Sequence, residues 1–382
     1  MHKTPLHQFH LDHKAHMVDF VGWDMPLYYT ATGLTQEHHQ VRKSGGIFDV
    51  SHMGRVRIKG RHARKFLERT CTRRIHDMVA GQCRYSLVCN AQGGVKDDVI
   101  VYRLDDDEFL MVVNASNREK LLPHFDEIRR AGDFTCDIKD ETFQTSMVAL
   151  QGPAVMPLIG KFSKEVPSLK KYRFAVKNLM IIKLIVSRTG YTGEDGVEVI
   201  LPAGTTNMAL KLLLNDVDMT KPDALLKPAG LGCRDTLRTE AGMPLYGHEL
   251  GEDINALQCG VDFAIAVDKA DDDKAGPFIG SDALKKTVAA GGPRRKLAGL
   301  VVPGKRAARQ GARVLQGGKE VGVVTSGCPS PTLGEQLGGT IAMCFLDKEL
   351  HQPGTDLEVD TGKGVLAAKV TTLPFYKAPK VG

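Results

Sequence analysis

Residues 99–131 read VIVYRLDDDEFLMVVNASNREKLLPHFDEIRRA, and this stretch decides the fold class. Its first six residues are rich in β-branched and aromatic side chains, which fit a pleated surface. Asp105, Asp106 and Asp107 form a polar turn, and the apolar run 109–113 returns, so the segment predicts a β-hairpin. A helix is expected next, opened by Ser116 with Glu119 three residues on, the spacing of a capping box. Leu121, Leu122, Phe125 and Ile128 recur at helical spacing and predict its buried stripe.

The same alternation continues on both sides. Upstream, residues 61–70 predict a short helix with Ala63, Phe66 and Leu67 on one face. Downstream, strands are expected at 181–187 and 197–201 around a glycine-rich turn, followed by a helix over 207–214. The longest apolar stretch, 179–186, is interrupted only by Lys183 and reads as one buried strand. Strand pairs broken by single helices argue for α+β rather than a regular parallel sheet. After Val267 the composition shifts. Residues 268–274 predict a charged loop and 291–295 (Gly-Gly-Pro-Arg-Arg) a linker. From Leu297 onward short strands alternate with Gly and Pro turns, which predicts an all-β C-terminal domain.

A chain of 382 residues exceeds one ordinary core, so two or three domains are expected. It holds no apolar run of about eighteen residues, so no membrane span is expected. The opening MHKTPLHQFHLDHKAH lacks the apolar centre of a secretory signal and the Arg- and Ser-rich character of an import leader. The expected compartment is the cytoplasm, or the mitochondrial matrix for a mature organellar form. Eight cysteines without a C-x-x-C pair predict buried, reduced thiols rather than disulfides or zinc. The net charge of +6 favours anionic partners through long-range steering. No basic stripe is interleaved with aromatics, so nucleic acid is not expected; an acidic protein or a polyanionic small molecule fits better.

No phosphate-binding loop, nucleophile elbow or H-E-x-x-H motif occurs. His38 and His39 would point about 100° apart on a helix, which predicts a surface face with one half-buried imidazole and no metal. Three clusters carry more chemistry. In residues 90–98, Asp97 and Asp98 begin an apolar strand and face opposite ways, so one can enter a site while the other stays in solvent. Capping of the turn is the alternative use. In residues 188–198 three glycines precede Glu198, which alternates with Val197 and Val199; a carboxylate there suits a heterocycle bearing adjacent amino and N–H donors. In residues 227–247 Asp235 suits a helix start, and Arg234 and Arg238 sit one turn apart, able to clamp a carboxylate or to form structural ion pairs.

Seven segments in order, 20–26 (FVGWDMP), 47–54 (IFDVSHMG), 93–98 (GGVKDD), 189–198, 230–247, 325–333 (TSGCPSPTL) and 373–376 (LPFY), resemble the aminomethyltransferase family, the T-proteins of the glycine cleavage system. The resemblance implies a three-domain, cloverleaf-like folate-binding architecture: antiparallel, ferredoxin-like sheet domains and a C-terminal β-barrel. It implies two interleaved domains within 1–268 (1–50 plus 145–245, and 51–144 plus 246–268) and a barrel over 294–376. It further implies that tetrahydrofolate takes the one-carbon unit of an aminomethyl group carried on the dihydrolipoyl arm of H-protein, giving ammonia and 5,10-methylenetetrahydrofolate. No metal is implied. Asp98 matches the catalytic aspartate, Glu198 the carboxylate gripping the pteridine and Arg234 the folate-binding arginine; Met53, Tyr85 and Asn114 fall near the folate.

Relatives on this scaffold include folate-dependent demethylases of small methylated compounds and non-catalytic folate-binding proteins. The latter carry a Lys-Gly-Cys segment followed by Gly-Gln-Glu, and here the comparable residues 241–249 read AGMPLYGHE. Residues 30–35, 254–257 and 261–263 depart from the family pattern, the last two near the expected entry of the lipoyl arm.

Overall fold

The computed structural model describes residues 1–213, 221 and 223–379. The segment 99–113 folds as expected: Val95–Arg103 and Glu108–Val113 pair antiparallel through the aspartate turn. They are central strands of a five-stranded antiparallel sheet, flanked by Gln82–Cys89 on one side and by Gly54–Lys59 and Asp137–Asp140 on the other. The helices Ala63–Thr70 and Arg118–Ala131 cover one face of it. Phe66 meets Phe125 edge-on there, with ring centroids 6.0 Å apart. The second helix starts one residue later than the capping-box reading requires. Ser116 stays exposed, and Asn117, at the cap position, turns its amide to Asp97 instead of to the helix.

A six-stranded sheet follows the order Phe174–Leu179, Ile182–Ser187, Gly196–Pro202, Thr145–Gln151, Gly46–Asp49, Lys227–Pro228, and its last pair is parallel. The chain leaves this sheet after Asp49, builds the five-stranded sheet, and returns at Thr145. The apolar run 179–186 is two strands, not one. Met180 takes φ 55° and turns the chain, leaving Met180 and Ile181 exposed at the tip of a hairpin. The helix expected at 207–214 is Thr206–Leu213; Leu214 lies outside the described residues. An apolar layer containing Val50, Tyr102, Leu110, Met147, Ala149 and Ile200 joins strands of both sheets.

The C-terminal strands close into a six-stranded antiparallel barrel, Arg295–Pro303 through Val365–Thr371, around its own core. All eight cysteines are buried free thiols. The charged segment 268–274 is not simply a solvated loop. Lys269 is fully buried, donates to the carbonyls of Glu68, Cys71 and Arg73, and pairs with Glu68 at 2.6 Å. Buried Lys is tolerated when its charge is matched and its donors are used, as here.

Candidate functional site

Asp97 and Asp98 leave opposite faces of the strand Val95–Arg103, as alternation requires. The start of this strand is pinned. A side chain at Gly94 would place Cβ 1.8 Å from the carbonyl of Glu252, so only glycine lets the two segments pair. Asp98 is half-buried; its neighbour does not reach solvent as expected but is fully buried. Tyr85, on the adjacent strand, donates its hydroxyl to Asp98 Oδ2 at 3.1 Å. Asn114, where the third strand ends, donates its amide to Asp98 Oδ1 at 2.7 Å and to Asp97 Oδ1 at 2.8 Å. Between two carboxylates, an Asn presents NH₂ rather than oxygen, since the reverse would set lone pairs against lone pairs. Asp98, Tyr85 and Asn114 are therefore one bonded unit. Burial pushes the Asp98 carboxyl above the usual carboxylate range. Burial, then the Asp98 charge, pushes the Tyr85 phenol well up, so it remains a donor.

Glu198 comes from the other sheet, on Gly196–Pro202, with Ser187 and Ala149 as cross-strand neighbours. A hydroxyl chain runs to it from the five-stranded sheet: Tyr102 and Ser187 lie 3.1 Å apart, Ser187 and Thr189 2.8 Å, and Thr189 donates to Glu198 Oε2. Burial raises its carboxyl, while the Thr189 hydroxyl and the Arg234 charge act the other way.

Arg234 projects from the helix Leu231–Glu240. This helix starts at Gly230 rather than at Asp235, because Gly230 packs on the carbonyl of Leu27, 2.3 Å from where a Cβ would sit, and donates its N–H to Glu37 Oε2. Of the two arginines one turn apart, only Arg238 is fully engaged. It bonds Asp235, Glu249, the Met243 carbonyl and Ser326. Arg234 stacks its guanidinium over Tyr191 at 4.9 Å and is in electrostatic reach of Glu198, yet its buried Nη1 has no partner. Burial lowers its proton affinity, and Glu198 opposes that loss. A buried, unused cationic N–H is costly unless something else accepts from it.

Tyr191, unremarked in its glycine-rich segment, anchors its hydroxyl to the Pro244 carbonyl at 2.5 Å and interacts with both Asp98 and Arg234. It connects the two halves of the site. Met53 stands apart: it is half-buried against the apolar layer between the sheets, and its carbonyl accepts from the fully buried Arg55. Arg55 also grips Ser51, Thr142 and Thr145 and so holds the turn bearing His52 and Met53. His52 is buried, its Nδ1 lacks a partner, and burial with the nearby Arg234 and Arg55 charges holds it down at about 4.

Sequence reasoning put His38 and His39 on a surface face with one imidazole half-buried, and His38 is fully buried. Its ring bonds Thr236 at 2.8 Å, Glu240 at 3.1 Å and Thr332 of the C-terminal region at 2.8 Å. Arg42 joins Glu240 and Glu194 in the same cluster. A single histidine in a polar helix carries no signal of this; the partners lie about two hundred residues or more away.

The residues fit a folate. Two carboxylates, Asp98 and Glu198, can receive ring amino and N–H donors, and the free Nη1 of Arg234 can donate to an anionic or carbonyl oxygen. Among the described residues, no group of three or more His, Cys, Asp or Glu side chains is arranged to hold a metal ion, and no helix is long and apolar enough to cross a membrane.

Residues 6–269 match the family profile of the GCVT N-terminal domain, and residues 295–377 that of the glycine cleavage T-protein C-terminal barrel domain. The aminomethyltransferase of Cutibacterium acnes is 40% identical over 386 residues, covering 99% of this chain and 99% of that one. That of Rubrobacter xylanophilus is 41% identical over 379 residues, covering 99% of this chain and 95% of that one. The solved structure of glycine cleavage system aminomethyltransferase T from Bartonella henselae superposes with a TM-score of 0.86 at 29% identity, over 99% of this chain and 98% of that chain. Fold, barrel and full-length identity agree, and the chain belongs to the aminomethyltransferase family, the T-proteins of the glycine cleavage system.

Proposed function

We propose that Asp98, Glu198 and Arg234 hold tetrahydrofolate while it accepts the one-carbon unit from the aminomethylated dihydrolipoyl arm of H-protein. The atoms of that transfer balance without redox chemistry. Two C–N bonds form at the aminomethyl carbon, one to each folate nitrogen; its C–S bond and its original C–N bond break. The two protons lost from folate nitrogen leave with the lipoyl thiol and with ammonia. Folate is the nucleophile, so the protein contributes orientation and electrostatics. Asp98 faces the reacting nitrogens, stabilises the positive charge that grows there, and is poised by its raised proton affinity to hold a departing proton. Tyr85 and Asn114 fix the orientation of Asp98. Glu198 receives the pteridine amino and N–H groups and Arg234 supplies its free donor; Met53, which stands apart from them, is put near the folate by the family resemblance alone. The +6 charge steers an acidic carrier protein and folate toward the site, in the cytoplasm.

The observation that carries this reading is the unpartnered Nη1 of Arg234, beside Glu198 and over the Tyr191 ring that also faces Asp98. The test incubates the protein with tetrahydrofolate and aminomethylated H-protein and follows ammonia and methylenetetrahydrofolate together. Equal amounts of both, lost when either substrate is omitted, are expected. Tetrahydrofolate binding without release of ammonia overturns the reading.

A further inference from the structure

Asp97 takes no part in the chemistry described so far, yet it is the most completely bonded carboxylate near it. Its Oδ1 accepts from Asn114 Nδ2 at 2.8 Å and from Asn117 Nδ2, and its Oδ2 accepts from the Asn114 backbone N–H at 3.0 Å. All three partners are donors. A protonated carboxyl needs an acceptor for its own hydrogen, and these contacts include none. The same Asn114 amide reaches across to Asp98 Oδ1 at 2.7 Å. Asp97 also draws Asn117 away from capping the helix Arg118–Ala131, so local stability is given up for this contact.

We infer that Asp97 is a positioning residue for the transfer reaction: a fixed buried anion that sets the Asn114 amide against Asp98 and, by its charge, makes Asp98 the member of the pair that takes up a proton. This rests on the reading of Asp98 given above. Burial pushes both carboxyls above the usual range, Asp97 furthest once the Asp98 charge is added; the contacts of both are donors, but Asp97 is fully enclosed while Asp98 is half-buried, so only Asp98 has room to direct a proton away from them. Other groups face the pair. Tyr246 approaches Asp97, with Lys120 and Glu252 behind it. Tyr85, Tyr191 and Cys259 approach Asp98, with Arg234, Arg238 and Glu249 beyond Tyr191. The cations lie behind phenols, while Asp97 is tied to Asp98 directly through the shared Asn114 amide.

The sign follows. Activity requires ionised Asp98 and is lost as pH falls through its raised pKa. Without the neighbouring charge that pKa drops, so the active form persists to lower pH. The experiment measures turnover of aminomethylated H-protein with saturating tetrahydrofolate across pH for the wild type, Asp97→Asn and Asp98→Asn. For Asp97→Asn the acid limb is expected to move to lower pH, while kcat at the optimum falls about 10- to 100-fold because Asn114 loses its anchor. A fall in kcat with the limb unmoved, or no change at all, overturns the inference, since a purely structural role cannot displace a titration. Should Asp98→Asn turn over at the wild-type rate and profile, the Asp98 reading fails on its own. Carbon-13 carboxyl titration of Asp98→Asn gives a readout that does not need the Asp97 variant to fold. Asp98 is already neutral when Asp97 begins to titrate, so Asp97 is expected to titrate there where it does in the wild type; a shift of Asp97 to lower pH, the mark of Asp97 taking the first proton, overturns the inference.

Discussion

Two clusters of buried charged side chains lie on either side of the helix Leu231–Glu240, and they differ in how completely they are paired. Around Glu240, every polar atom is used. His38 spends both ring nitrogens, Glu240 accepts from His38, Arg42, Ser330 and the Thr332 N–H, and Arg42 binds Glu194 and two carbonyls. Around Asp98 the accounting is incomplete: Arg234 Nη1 and His52 Nδ1 are buried without partners. Burial of charge alone therefore does not mark a site; an unspent donor is informative where it lies beside a carboxylate and an aromatic ring, as Arg234 does beside Glu198 and Tyr191. The first cluster welds the helix to residues 330–332 and to the C-terminal segment, where Tyr376 N–H donates to the Glu240 carbonyl and its ring lies over Arg42. The second holds the groups proposed above to meet the folate.

The comparison breaks most easily at Asp98. Asp98→Asn is expected to lower turnover by about 10²- to 10⁴-fold with little change in unfolding midpoint, measured by ammonia release and urea denaturation. A large loss of stability instead would make Asp98 a member of the structural class.

Glu240→Ala should do the opposite. It strands His38 and Arg42 in a buried site and is expected to cost about 3–5 kcal/mol of unfolding free energy. Its pH signature is also defined. Burial works against the Glu240 charge, but His38, Ser330 and Arg42 overcome it and hold the carboxyl down at about 2. A depressed carboxyl contributes stability above its unfolded pKa and loses it as pH falls toward the folded value. Wild-type stability should therefore decline between the ordinary glutamate value of about 4.5 and about 2, and the variant should lack that component.

Arg234→Met sharpens the contrast at smaller scale. Removing a guanidinium with an unmet donor should leave the urea midpoint unchanged or raised, while tetrahydrofolate affinity weakens by about 10- to 100-fold, the worth of a charged hydrogen bond. Equal affinity by calorimetry would remove Arg234 from the folate site. The smallest effect belongs to pairs outside both clusters: Lys59, largely exposed beside Glu108 at 2.7 Å, should change stability by less than about 1 kcal/mol when replaced by Met.

Much of the fold was legible because it is local. The hairpin Val95–Arg103 with Glu108–Val113, the buried stripe of Leu121, Phe125 and Ile128, and the barrel's short strands all follow from periodicity and turn residues within a few positions. Asp98, Glu198 and Arg234 stood out through their neighbours in sequence, and the structure brings Asp98 and Arg234 to Tyr191 and Glu198 to Arg234. Other features were not legible. A turn at Met180 has no glycine or proline to announce it. The helix bearing Arg234 begins where Gly230 meets Leu27, a contact set by a strand some two hundred residues earlier.

The sequence by itself determined most of the strands, which residue types can meet a folate, and the family to which the chain belongs. Tertiary structure alone decided which charges are spent on one another and which are left over. His38 and Lys269 look like surface residues until distant carboxylates and carbonyls close around them, and Asp97 looks like the solvent partner of Asp98 until two asparagines enclose it. Hydrogen-bond satisfaction is a property of three-dimensional surroundings, so local pattern names the candidates and packing assigns their duties.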